Sequence, residues 1–92
     1  MTFTPIKEIQ KIALEKYNEN VDADFQKLVE IINYNIQEEA NRGKFSVVLN
    51  ILAFMPAACS KAKVMLKEQG YICSIAGSDL YISWDNNEIY SN

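Results

Sequence analysis

The chain has 92 residues, 49% of them hydrophobic and 23% charged, with a formal net charge of −3, two cysteines and no histidine. That length holds one domain around one core of modest stability, and so few glycines and prolines exclude a disordered or low-complexity chain. The missing histidine removes the commonest general base, the commonest zinc ligand and every Ser-His or Cys-His nucleophile pair.

Thr4-Pro5 reads as a helix cap followed by a first-turn proline, and Ile6, Ile9, Ile12, Ala13 and Tyr17 then recur at helical spacing. This predicts a first helix to about Tyr17. Asn18-Glu19-Asn20 interrupts the pattern, Asn20 or Asp22 offers a new cap, and Phe25, Leu28, Val29, Ile32, Ile36 and Ala40 mark one stripe of a second, longer helix that Gly43 ends. Ile31 and Tyr34 lie off that stripe. They widen its apolar surface into a self-association face, unless the first helix folds back to cover them.

Phe45 to Leu52 alternates with a period of two, the signature of a strand, and Val48 and Leu52 make its second face apolar, as in a central strand covered on both sides. Pro56 suits the first turn of a helix and Gly70 its termination, with Ala58, Ala62, Met65 and Leu66 on one side and lysines on the other. Tyr71 to Ala76 and Leu80 to Trp84 are rich in β-branched and aromatic residues, and Gly77-Ser78-Asp79 between them marks a hairpin. The expected fold is therefore an α+β domain over residues 1–92, with two N-terminal helices followed by a β-α-β-β unit that forms a three-stranded mixed sheet. A right-handed crossover sets the first strand parallel to one hairpin strand, directly or with the other inserted between them.

No apolar run reaches the roughly 20 residues that a membrane-crossing helix needs, and the first residues have neither the basic nor the apolar region of a signal peptide. A chain that is not secreted by a signal of its own, with Cys59 and Cys73 as free buried thiols, is the expectation. The acids Glu8, Glu15, Glu19, Asp22, Asp24, Glu30, Glu38 and Glu39 crowd residues 1–41, whereas Arg42, Lys44, Lys61, Lys63 and Lys67 face Glu68 alone in residues 42–70. Such a division orients head-to-tail association between copies or is an ordinary solvated surface. Nucleic acid is a poor partner for a chain of negative charge with few basic residues, although Tyr71, Tyr81 and Trp84 on an open sheet face would form a stacking platform.

Chemistry is sparse. The start of the Pro56 helix, with Lys61 and Lys63 nearby, is the one place for a small phosphate ligand, but no glycine-rich loop accompanies it. Cys59 lies close to the same helix start and two lysines, which would activate a thiol, yet no base or oxyanion device stands with it and a packed, inert cysteine is the simpler reading. No catalytic residue, metal ligand set or cofactor is expected. Residues 86–92 form a polar tail in which Ile89 and Tyr90 are the only apolar residues, available to dock on the parent fold or on a neighbour.

The run Ile36-Gln37-Glu38-Glu39-Ala40-Asn41-Arg42-Gly43-Lys44-Phe45-Ser46-Val47, then Leu66-Lys67-Glu68-Gln69-Gly70-Tyr71-Ile72-Cys73, then Ile82-Ser83-Trp84, resembles a loose group of small tailed-bacteriophage proteins. In these a long helix ends in Ala-x-x-Gly-Lys, a second helix ends in Gly-Tyr and a hairpin ends in Ile-x-Trp. The resemblance spans about the last two thirds of the chain and consists of caps, strand starts and a core aromatic, so it transfers no site residue. What it implies is a phage origin and a non-enzymatic role, in the host cytoplasm or the virion. Residues 1–20 fall outside it and are the place where a specific partner is chosen. Two functions follow as expectations: a structural or assembly protein acting through self-association or binding to other phage proteins, or a small inhibitor that binds a host enzyme or defence protein or sequesters its nucleotide signal.

Overall fold

The computed structural model describes residues 2–85. Its element order is α1 (Ile6–Asn41), β1 (Ser46–Asn50), α2 (Pro56–Glu68), β2 (Ile72–Ala76) and β3 (Asp79–Ser83). The expected pair of N-terminal helices is one continuous helix of 36 residues. Asn18 and Asn20 are weak helix formers, but each costs under about 1 kcal/mol, and neither proline nor glycine stands between Ile6 and Asn41 to remove a hydrogen bond or free the backbone. The start also differs from expectation by one residue. Pro5 is the N-cap rather than a first-turn residue, Thr4 makes no capping bond, and the Pro5 carbonyl accepts the N–H groups of Glu8 and Ile9.

The helix ends where the sequence places its stop. Gly43 takes φ 79°, the Lys44 N–H donates to the Glu39 carbonyl and the Gly43 N–H to that of Ala40, both at 3.0 Å. These two bonds are the Schellman closure, which satisfies carbonyls that the helix leaves open. α2 closes in the same way at Gly70, through Tyr71 onto Leu66 and Gly70 onto Lys67.

The sheet has the order β1-β3-β2 and is antiparallel at both ladders, so the expected mixed sheet is corrected. β1 and β2 run in the same direction with β3 inserted between them, the second of the two expected arrangements. A two-residue Gly77-Ser78 turn makes β2 and β3 adjacent, with Gly77 at φ 61° supplying the positive first angle of a type II′ hairpin. β3 then pairs with β1, Val47 opposite Ile82 and Leu49 opposite Leu80. β1 is thus an edge strand, not the middle of the sheet; Val48 on its outer face is exposed, as is Leu52 in the turn that follows it.

Both helices lie on one face of the sheet, α1 against β1 and α2 against β2. The core joins Phe25, Leu28, Ile32 and Ile36 of α1 to Ala58, Cys59, Ala62 and Leu66 of α2 and to Leu80 and Ile82 of β3, with Ile51 and Cys73. Leu80 and Ile82 have no solvent exposure, and burying side chains of this size stabilises a fold by about 1.5–3 kcal/mol each. Ser83 is the buried polar residue of the core region. Its hydroxyl donates to the Phe45 carbonyl and accepts the Asp85 N–H, each at 3.2 Å, so its burial leaves no open valence.

Candidate interaction surface

The surface of interest starts with α1, because the body of the protein uses only part of it. Its buried residues begin at Phe25, Val21 packs partly against the core, and every residue from Thr2 to Asn20 is exposed. At about 1.5 Å per residue the helix is about 54 Å long, and its leading half stands clear of the domain, which gives the molecule extents of 75 × 21 × 20 Å. On that free segment Ile6, Ile9, Ala13 and Tyr17 follow one another at steps of three and four residues, hence on one line of the helix. Ile6 is 71% exposed and Ile9 50%. Ile12 and Leu14 widen the apolar arc, while Lys7, Lys11, Glu15 and Asn18 occupy the opposite side.

Ile31 and Tyr34 sit on the outer face of the docked half of the same helix, 42% and 65% exposed. The leading half cannot fold back over them, since it is the straight continuation of the helix that carries them. Ile89 and Tyr90 lie outside the described residues.

Lys61 and Lys63 are two positions apart on α2 and so point in different directions. Lys61 lies 4.5 Å above the Phe25 ring and 3.5 Å from the Asp22 carboxylate, a cation held by α1. Lys63 is half-buried and its backbone carbonyl accepts the Cys73 thiol at 3.4 Å. The structure does not bring the two ammonium groups together over the helix start. What stands there is a carboxylate, because Asp24 Oδ2 accepts the Met55 N–H at 2.8 Å. Arg42 and Lys44 are likewise engaged within the chain, at 3.3 and 3.7 Å from Glu39. The basic middle segment is therefore partly neutralised by the acidic helix of its own molecule.

Cys59 is buried, and its thiol is pushed above the ordinary value of 9.0, first by burial and then by the charge of Asp24, against a smaller opposing pull from a backbone hydrogen bond. It stays protonated at neutral pH, the unreactive form. Tyr71 and Trp84 meet edge to face with ring centroids 6.4 Å apart on the helix-covered side of the sheet, whereas Tyr81 points from the open side, so the three aromatics make no common platform. Beside Trp84 an open groove of about 640 Å³ runs between α1 and α2, with Val29, Ile36, Met65, Gln69 and Tyr71 among its walls and no acid, lysine, arginine or cysteine.

Among the described residues no group of three or more His, Cys, Asp or Glu is placed to hold a metal ion, and no helix is long and apolar enough to cross a membrane. Comparison with known proteins returns no matching family model, no matching curated protein and no matching solved structure. The functional reading therefore rests on the geometry of α1. Periodicity alone predicts that Ile6, Ile9, Ala13 and Tyr17 are buried, and it carries no mark to tell burial within one chain from burial between chains.

Proposed function

We propose that this is a non-enzymatic assembly protein of bacteriophage origin that acts through self-association or through binding to other phage proteins. The observation that carries the reading is the leading half of α1, residues 6–20, whose apolar line has no cover among the described residues. A lone helical segment of that length is marginal in water, and its stability ordinarily comes from packing its apolar face. Another polypeptide laid on that face would supply the packing that the described residues do not. The absence of histidine and the protonated, buried state of Cys59 agree with a role that depends on contacts instead of catalysis. The phage origin rests on the resemblance of the Ala40-Asn41-Arg42-Gly43-Lys44, Gly70-Tyr71 and Ile82-Ser83-Trp84 motifs.

Size-exclusion chromatography with light scattering on the full chain is the test. The expected mass is a small multiple of the 10.5 kDa monomer at micromolar concentration. A monomer up to the highest soluble concentration overturns self-association. A monomer that forms a stoichiometric complex with one host protein supports the inhibitor reading in its place.

A further inference from the structure

We propose that two copies of the chain pair through α1 in antiparallel register about Asn20. The Ile6, Ile9, Ala13 end of one helix then lies on the Ile31, Tyr34 surface of the other. This deepens the self-association reading and rests on it.

One line of positions runs almost the length of α1. Ile6, Ile9, Ala13, Lys16, Asn20, Asp24, Lys27, Ile31 and Tyr34 succeed one another at intervals of three or four residues, so all fall on one face of the helix. The order of the intervals reads the same from either end when counted from Asn20. Both ends of the line are apolar and exposed; its middle is polar. The core-facing residues Phe25, Leu28, Ile32 and Ile36 occupy a different line, and among the described residues the body reaches this one at the half-buried Asp24, which bonds Met55, while its two apolar ends stay exposed.

A second copy of α1 has two ways to lie along it, and charge decides between them. Parallel and in register, Lys16 meets Lys16, Asp24 meets Asp24 and Lys27 meets Lys27, three layers of like charge in a seam shielded from water. Antiparallel about Asn20, Lys16 stands opposite Asp24 of the second copy, and symmetry makes the same pair a second time. Ile6 then falls opposite Tyr34, and Ile9 opposite Ile31. Lys27 meets the small Ala13, which leaves room for its aliphatic stem while the ammonium reaches solvent. Asn20 meets itself, and a single polar amide of this kind on a helix seam fixes register. Asp24 is suited to the pairing: Oδ2 takes the Met55 N–H, and the carboxylate has a second oxygen, Oδ1, for the incoming lysine. In this arrangement the two exposed apolar patches of one molecule cover those of its partner, which makes the contact closed and self-complementary.

The test is cysteine cross-linking of the full chain with a mild oxidant such as diamide, using Asn20→Cys and Ala13→Cys as separate variants. Both positions are exposed on the helix, and the native Cys59 and Cys73 are buried, so the unsubstituted chain serves as the control. The expected result is a covalent dimer from Asn20→Cys and none from Ala13→Cys, whose copies would stand about 21 Å apart across the two-fold axis. Equal cross-linking of both variants means a parallel pair and overturns the inference while leaving self-association intact. Failure of Asn20→Cys to cross-link while the unsubstituted chain still associates overturns it as well. Lys16→Glu gives an independent readout. It places an acid opposite Asp24 and is expected to weaken the dimer roughly tenfold at low salt, with the loss shrinking as salt rises; an unchanged dissociation constant contradicts the register.

Discussion

The carboxylate of Asp24 accepts the backbone N–H of Met55 across 2.8 Å, a bond between residues 31 positions apart that ties the middle of α1 to the first turn of α2. It does for α2 what a capping side chain within the helix does elsewhere, since Met55 is the N-cap and makes no side-chain bond of its own. Asp24→Ala is expected to lower stability by about 1–2 kcal/mol, read from urea denaturation, with Asp24→Asn losing less because the amide oxygen still accepts. Equal stability of Asp24→Ala and the parent would show that the bond contributes nothing.

At the centre of the sheet, Ile82 is fully buried between the ladders to β1 and β2 and beneath both helices. Ile82→Ala is expected to cost about 2–5 kcal/mol, the range for a cavity in a core that relaxes only in part. For a domain this small that is a large share of the total, and thermal unfolding monitored by circular dichroism measures it.

Cys59 supplies a pH prediction. Its folded-state thiol is held above the ordinary value of 9.0, chiefly by burial, so the folded chain keeps its proton when the unfolded chain has lost it. Stability is therefore unaffected by this group below about pH 9 and falls as pH rises through the raised value. Denaturation midpoints taken from pH 7 to pH 11 should decline more steeply in the parent than in Cys59→Ala. A thiol reagent at pH 8 should label the native protein slowly and the urea-unfolded protein at once.

Ile9→Asp probes the exposed end of α1. The substitution touches no residue of the core, so at concentrations low enough for both proteins to be monomeric the unfolding free energy of the body should change by less than about 0.5 kcal/mol. Association, by contrast, should be lost. With it should go part of the helical circular dichroism, because residues 6–20 then have no partner to hold them. Retention of both the oligomer and the full helical signal would remove Ile9 from the contact.

The positions that carry strong local chemistry were readable from residues alone. Pro56 opens α2, Gly43 and Gly70 close the two helices, and Gly77 turns the hairpin, because each meets a backbone requirement within a few neighbouring residues. The joining of the two expected helices was not readable. Asn18 and Asn20 resemble a break, yet the hydrogen bonds of a helix already formed on both sides outweigh their preference. The place of β1 was missed for a different reason. Val48 and Leu52 suggest a strand covered twice, but both helices lie on the other face of the sheet, so Val48 is exposed on the open face with Tyr81, and Leu52 falls in the turn beyond the strand. The edge position of β1 follows separately from β3 pairing between β1 and β2. For the interaction surface, Ile31 and Tyr34 could be singled out because they lie off the buried stripe. Ile6, Ile9 and Tyr17 mark one face of a helix in the stretch expected to choose a partner, but their spacing does not say what covers them.

The insertion of β3 bears on how the chain is made. β1 and β2 never pair with each other; each has its ladder with β3 alone, and β3 comes last among the described strands. A chain cut before Asp79 would lack the whole sheet, and on the ribosome neither β1 nor β2 finds a strand to bond until residues 79–83 have emerged. The long first helix is out well before then. Under the proposed pairing, the α1 surface is complete before either body can close.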